Sequence, residues 1–314
     1  MLAAPSAAEA LKVLHDLPWA QFLPEAEDRP ENFNRLLDAG LWETKREIQG
    51  MLENASDFDF LWLLFDLHNA KILLKAKIKG QSAESVKDLL SPLGSITGGQ
   101  MSDLIFNENV TGDFDWLAPL AGQIEREFEQ SADPEQIENV LNREFFQRVW
   151  HKACKTGSPL MRNFFKSFAA AENLKSWLRR KGQTNFLPGT PGLERALAGA
   201  ESLGDFLLRI DRSQSATALA NSPAGRRVLD VCRALAKENS LEDFSQLELA
   251  LDDFLFESLK PSKFEIENVD PIFAFFWTKL RNANIIRTIM IGKLNGLESE
   301  SLRRRVSTPS LSIS

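Results

Sequence analysis

The sequence predicts an all-α fold built from three divergent helical repeats, and three observations lead to this prediction. Apolar residues recur at the three- and four-residue spacing of a helix face along most of the 314-residue chain. Almost no segment alternates polar and apolar residues with period two, so few or no strands are expected. One helical pattern also returns twice further along the chain, which is the signature of an internal repeat.

The predicted helices follow one another with recognisable start and stop signals. They cover residues 41–56, 58–79, 84–91, 134–154, 159–181, 223–238, 241–258 and 270–293. Gly80 is a typical stop for the second helix, Ser82 is a candidate cap for the third, and Pro134 stands at the first position of the fourth. Loops rich in proline and glycine at 92–96 and 186–192 separate the helical regions.

The internal repeat aligns three stretches of the chain. Asn69 and Asn173 correspond to each other and to Ile285, at offsets of 104 residues (173 − 69) and 112 residues (285 − 173); this position is called the asparagine slot below. Positions one, four and five after the slot are apolar in every copy, which predicts that this side of each helix is buried. Each copy also has a cation two positions after the slot and a lysine eight positions after it, namely Lys71 and Lys77, Lys175 and Lys181, and Arg287 and Lys293.

The repeated polar positions predict different roles. We interpret Asn69 and Asn173 as partly buried amides that hydrogen-bond to a neighbouring helix, because buried amides are nearly always satisfied. The first cation of each copy falls on the predicted solvent side and is a candidate contact to a partner, although an ordinary solvated face is the commoner situation for any single copy. The later lysine lies in the last helical turn, where it complements the helix dipole.

Composition argues against several classes of function. The net charge of −7 makes nucleic acid a poor main partner. The only cysteines, Cys154 and Cys232, exclude a disulfide framework and favour a reducing compartment. His151 lies three residues before Cys154, but two ligands do not make a zinc site, so no metal is expected. The N-terminus lacks the pattern of a signal peptide, and no apolar run approaches the ~20 residues of a membrane span.

No motif of a catalytic or cofactor-binding site is present in the sequence. The pair Gly292-Lys293 lacks the upstream glycine and the following hydroxyl residue of a phosphate-binding loop. The three histidines are too scattered to suggest a catalytic triad. Asp252 and Asp253 belong to an amphipathic helical pattern, so we expect a solvated face there and not a pair of acid–base carboxylates. The sequence therefore predicts neither an active site nor a cofactor.

At these repeats the sequence resembles the C subunit of bacterial and archaeal V/A-type rotary ATPases, which is related to the d subunit of the eukaryotic V-ATPase. Residues 66–77 and 173–181 carry part of the resemblance, and residues 286–297 resemble the closing Asn-Ile-Arg...Gly-Lys helix of that family. The likeness covers roughly residues 10–305, and the two Pro/Gly loops fall at the family's positions. Departures are Ile285 where the family usually has Asn, Ala170 where an acidic residue is common, and an N-terminus short of one helix.

The resemblance implies a funnel with pseudo-threefold symmetry around a central cavity. Its repeats would span residues 1–100, 101–200 and 201–305, followed by a disordered tail over 306–314. It also implies a non-catalytic rotor component of the central stalk, on the cytoplasmic face of the membrane proteolipid ring. The cavity would accept the end of the central shaft, made of the D and F subunits, so that this protein transmits torque for ATP-coupled ion transport as a monomer within the complex.

Two other functions fit parts of the pattern. An α-solenoid scaffold that binds a partner helix would share the helical repeats, but repeats of about a hundred residues are long for that class, whose units usually span about 20–50 residues. An all-helical enzyme with an unrecognised site would require catalytic carboxylates in a pocket. The connector is the preferred prediction.

Overall fold

The computed structural model describes residues 1–15, 29–52, 58–108, 112–179, 186–212, 219, 222–238, 244–260 and 269–306. Within these ranges the chain is mostly helical and contains no strand, which confirms the predicted all-α class. The α-helices are α1 Ala7–His15, α2 Phe33–Met51, α3 Asp59–Ile78, α4 Gly98–Phe106, α5 Leu117–Ser131, α6 Pro134–Lys155, α7 Pro159–Arg179, α8 Pro191–Ala198, α9 Leu203–Arg212, α10 Pro223–Glu238, α11 Ser245–Glu257, α12 Asp270–Leu294 and α13 Ser299–Arg303.

Most of the predicted helices occur close to their predicted bounds. Helices α6, α10 and α12 match the predictions within one residue at each end. Asp133 caps α6 by accepting the Glu135 N–H at 3.1 Å, and Pro134 occupies the first helical position. Gly80 ends the α3 region with a φ of +68°, a conformation that glycine adopts without steric cost.

Some local predictions were wrong. Helix α2 begins at Phe33, eight residues before the predicted start (41 − 33). The segment predicted as a helix at 84–91 is a 3-10 turn over residues 83–89, and the Ser82 side chain makes no capping bond there. Helix α4 was not predicted, although Thr97 and Gln100 form a reciprocal capping box at its start.

Packing divides the chain into two compact units. The larger unit comprises Met1–Ile48 and Ser158–Ser314, and the smaller unit comprises Gln49–Gly157. The threefold arrangement and the repeat boundaries predicted from the sequence stay predictions. None of the described helices is long and apolar enough to cross a membrane.

The smaller unit is organised around α3, which packs against α6 and α4. The Trp62 and Leu73 side chains of α3 are fully buried, and burying a side chain of this size contributes about 1.5–3 kcal/mol. Trp116, just before α5, meets the Phe145 ring of α6 edge-on at 4.9 Å between centroids. The Arg148 guanidinium carbon lies 3.5 Å from the Trp116 ring centroid, so a cation–π contact also joins the two elements.

The larger unit contains two apolar cores and an aromatic junction. The C-terminal half of α7 packs with α8–α11 around Trp177 and Phe206, while α1, α2 and α12 pack around Leu14 and Met290. Helices α7 and α12 meet through six rings, those of Phe164, Phe165, Phe168, Phe273, Phe276 and Trp277. Aromatic pairs of this kind add about 0.5–1.5 kcal/mol each beyond area burial, so this junction stabilises the packing of α7 against α12.

A buried carboxylate fixes the loop that follows the 3-10 turn of the smaller unit. Asp66 of α3 is fully buried and accepts the Ser95 N–H at 2.9 and 3.0 Å, the Ser95 hydroxyl, and the Ile96 N–H at 3.4 Å. The loop approaches so closely that a Cβ atom at Gly94 would lie 2.3 Å from Asp66 Oδ1. Glycine is therefore required at position 94.

We expect Gly94→Ala to lower the free energy of unfolding by about 1–3 kcal/mol, the usual cost of overpacking. The matched control is Gly50→Ala, because a Cβ at Gly50, in helix α2, meets no atom within 4 Å. That control should be neutral or stabilising by up to about 1 kcal/mol, since alanine is the better helix former. Urea unfolding followed by circular dichroism measures both, and equal stabilities of the two variants would contradict the steric argument.

Candidate functional site

The repeated positions that the structure describes lie on the three long helices α3, α7 and α12. Eight of the nine apolar residues one, four and five positions after the asparagine slot are buried, and Ile286 is half-buried. The predicted buried side of each helix is therefore confirmed. It holds the slot at a fixed orientation on each helix.

Asn69 is fully buried and binds the backbone of the loop that follows the 3-10 turn. Its Oδ1 accepts the Ser91 N–H at 2.7 Å, and its Nδ2 donates to the Ser91 carbonyl at 2.9 Å. One amide side chain thus satisfies both backbone groups of one loop residue, in the way that a neighbouring strand would.

Asn173 repeats this arrangement in the larger unit. Its Oδ1 accepts the Leu187 N–H at 2.7 Å, its Nδ2 donates to the Leu187 carbonyl at 2.9 Å, and the same nitrogen lies 3.4 Å from Thr190 Oγ1. Both amides are hydrogen-bonded as predicted, but they are buried and not partly buried, and the partner is a loop and not a neighbouring helix. A loop has no internal ladder, so its backbone groups are the ones that need an external partner.

Ile285 occupies the slot on α12 and cannot make these bonds. It is half-buried, and it lines a groove together with the chain segment Arg305–Val306. The third copy therefore lacks the amide clamp, by which we mean the paired backbone bonds seen at Asn69 and Asn173.

The ends of α3 and α12 are built alike. The N–H of Gly80 bonds to the Lys77 carbonyl at 2.9 Å, and that of Gln81 bonds to the Ala76 carbonyl at 2.9 Å. The same pair of bonds closes α12, where Gly296 follows Lys293 by the same three residues. This is the Schellman arrangement, in which glycine at positive φ satisfies the last helical carbonyls. The first and third copies therefore share their helix ends.

The lysines in the last turns bind segments beyond their own helices. Lys77 Nζ donates to the Ile105 carbonyl at 2.7 Å and lies 2.8 Å from the Glu125 carboxylate. Lys293 Nζ donates to Ser299 Oγ at 3.0 Å, and that hydroxyl donates to the Leu2 carbonyl at 2.8 Å. Their positive charges in the last turn interact favourably with the helix dipole, and these bonds connect each helix end to a neighbouring segment. Lys181 lies outside the described residues.

Gly292, beside Lys293, has a steric role. A Cβ there would lie 2.2 Å from Leu302 Cδ2, so the missing side chain lets α13 lie directly against α12. The Gly-Lys pair thus serves helix packing and helix termination.

The first cations of the three copies lie at half-buried positions. Lys175 forms an ion pair with Glu172 one turn earlier on α7. Arg287 Nε donates a hydrogen bond to Asn34 Oδ1 at 3.1 Å, and its Nη1 donates to Asn284 Oδ1 at 2.8 Å. Lys71 is half-buried on α3. Their role as partner contacts stays a prediction.

The whole repeat-bearing region matches one known family. Residues 1–305 match the family described as ATP synthase (C/AC39) subunit. The chain belongs to this family. It is also 25% identical over 254 residues to the C subunit of the A-type ATP synthase of Methanocaldococcus jannaschii, an alignment that covers 76% of this chain and 62% of that relative.

Within this family member, an ionic cluster in the larger unit was not anticipated. Arg281 of α12 is buried; its Nε donates to Asp252 at 2.8 Å and its Nη2 to Asp253 at 2.9 Å. Its guanidinium carbon lies 4.2 Å from the Phe256 ring centroid. Both aspartate side chains remain 35% exposed, but a long arginine from another helix reaches their carboxylates, and the sequence did not predict this contact. The spacing of residues in the sequence does not indicate that these side chains of α11 and α12 meet.

The His, Cys, Asp and Glu side chains are dispersed over the part of the chain that the structure describes. No group of three or more His, Cys, Asp or Glu side chains there could hold a metal ion. Burial raises the pKa of the Cys232 thiol to about 12, which keeps it protonated and unreactive near neutral pH.

We expect Asn173→Leu to destabilise the chain by about 2–5 kcal/mol, because the N–H and carbonyl of Leu187 would both lose their buried partner. Asn163→Leu on the same helix is the matched control, since Asn163 is exposed. Chemical unfolding monitored by tryptophan fluorescence measures both. A loss of stability as small as that of the control would show that the clamp does not contribute.

Proposed function

We propose that this chain is a non-catalytic connector of a V/A-type rotary ATPase. In this role it stands on the cytoplasmic side of the membrane, between the proteolipid ring and the central shaft made of the D and F subunits. It turns with the ring and transmits torque for ATP-coupled ion transport. The observation that carries the proposal is the family match over residues 1–305.

The mechanics of the helices support a torque-bearing role. A connector has to resist deformation, and close-packed helices have low compressibility. The two amide clamps fix loops to α3 and α7, and the six-ring junction fixes α7 to α12. These contacts leave little freedom for the helices to slide when a tangential load is applied.

The surface chemistry proposed for partner binding is polar. Lys71, Lys175 and Arg287 recur at the same repeat position and remain partly exposed. Polar and charged contacts of this type favour correct orientation and reversible docking more than raw affinity. We propose them as contacts to the ring or the shaft.

The first test is co-purification from native membranes. A tagged copy of this chain should bring down the proteolipid and the ATP-hydrolysing subunits in stoichiometric amounts, and the isolated chain should hydrolyse no ATP. Recovery of the folded chain without any other component of a rotary ATPase would overturn the connector. ATP hydrolysis by the isolated chain would overturn its non-catalytic assignment.

The second test concerns the repeated cations. The triple variant Lys71→Glu, Lys175→Glu and Arg287→Glu should bind its partner subunits about tenfold or more weakly, because three reversed rim charges cost on the order of 0.5–1 kcal/mol each. Binding is measured by interferometry on immobilised partner complex, after circular dichroism has established that the variant is folded.

A matched triple variant separates specific contacts from net charge. Reversal of Lys79, Lys166 and Arg226, which are exposed elsewhere, changes the charge by the same amount. This control should keep its affinity. Equal weakening of both triple variants would mean that only the overall charge matters, and unchanged assembly of the first would remove these residues from the interface.

A further inference from the structure

A groove of about 300 Å³ lies between α7, α11 and α12 in the larger unit. Its apolar lining includes Phe164, Phe168, Leu249, Trp277, Leu280 and Ile285. Three carboxylates and three cations also line it, namely Glu172, Glu248, Asp252, Lys175, Arg281 and Arg305. The charges balance, so the groove favours an uncharged occupant with apolar side chains.

In the first two copies of the repeat, a loop of the chain covers the asparagine slot. At Asn69 and Asn173 the chain's own following loop lies over the slot and is bonded to it. At Ile285 the groove is lined by Arg305 and Val306, where the described part of the chain stops. The segment that follows α12 therefore lies beside the slot of its own copy, as the two clamped loops lie beside theirs.

The separation along the chain is similar in all three copies. Ser91 lies 22 residues after Asn69 (91 − 69), and Leu187 lies 14 residues after Asn173 (187 − 173). Arg305 lies 20 residues after Ile285 (305 − 285). The next residues of the chain are therefore the ones that correspond to the bonded loops.

The chemistry of residues 307–314 resembles that of the two clamped loops. Each clamped loop has a proline directly after the bonded residue, Pro92 and Pro188, and contributes a buried leucine, Leu93 or Leu187. The sequence of 307–314 is Ser-Thr-Pro-Ser-Leu-Ser-Ile-Ser, which has one proline, two apolar residues at alternating positions and no charged side chain. An extended segment of this type turns both apolar side chains to one side.

We propose that residues 307–314 dock in the groove, with Leu311 and Ile313 against its aromatic lining. The sequence predicts a disordered tail here, and residues 307–314 lie outside the described residues. The experiments below distinguish the two expectations. Because Ile285 offers no amide, the segment lacks the paired backbone bonds of the clamp, and we expect its docking to be weaker and more readily reversed than that of the two clamped loops. The proposal does not depend on the connector function.

Methyl NMR of the full-length chain tests this proposal. The chain is labelled at the isoleucine δ1 methyl groups, and the conservative variant Ile313→Val assigns the Ile313 signal. A docked Ile313 methyl lies over aromatic rings, so its proton resonance should move upfield of its position in urea. A signal at the same position in buffer and in urea would overturn the proposal.

Two matched groove variants identify the binding surface. Ile285→Asp places a charge in the groove and should return the Ile313 signal to its urea position. Ile291→Asp places the same charge at an exposed site on the same helix and should leave the signal shifted. An Ile313 signal that stays shifted in Ile285→Asp would mean that the segment docks elsewhere, which also overturns the proposal.

A deletion gives an independent measurement from the groove side. The chain is labelled with 5-fluorotryptophan, and Trp277→Phe assigns the Trp277 fluorine signal. Removal of residues 307–314 should shift this signal and leave that of Trp42 unchanged, because Trp42 is 45% exposed and does not line the groove. An unchanged Trp277 signal would contradict docking even if the assignment variants for Ile313 were unstable.

Discussion

The amide clamp at Asn69 and Asn173 is the interaction on which the paths of two loops depend. Each clamp buries one N–H and one carbonyl of a loop, and a loop has no partner of its own for them. An unsatisfied buried group costs about 1–3 kcal/mol, so each amide offsets a penalty comparable to a sizeable part of a domain's stability. Because the bonds reach the backbone, they do not depend on the side chains of Ser91 and Leu187 themselves.

The two clamps are supported by different neighbouring contacts. In the smaller unit, Asp66 adds a second anchor one turn before Asn69, and it holds the next part of the same loop. In the larger unit, Ala170 stands at the matching position and is simply buried, while Thr190 supplies an extra contact to Asn173. The amide is common to both copies, and the supporting contacts have diverged around it.

The fold class and the longest helices were predictable because they depend on local information. Periodicity, Asp133-Pro134 and Gly80 act within a few residues of the elements they define, and the structure agrees with them. The short helix α4 was also predictable, because the capping box at its start is a local signal in the sequence. Periodicity likewise identified the buried side of α3, α7 and α12.

The contacts made by Arg281 and the loop partners of the asparagines were not predictable in the same way. They join residues that are 14 to 29 positions apart across a turn of the chain whose geometry the sequence does not state. The repeat revealed that Asn69 and Asn173 are equivalent, but a buried amide can be satisfied by a helix or by a loop equally well. Only the folded structure distinguishes these two partners.

The close approach at Gly292 links two positions in the evolution of this protein family. Helix α13 can rest on α12 only while residue 292 lacks a side chain or residue 302 is shortened to make room. Substitutions at these two positions should therefore occur together among relatives, with a larger residue at one accompanied by a smaller residue at the other. The glycine beside Lys293 is thus a marker of how the end of the chain is folded back.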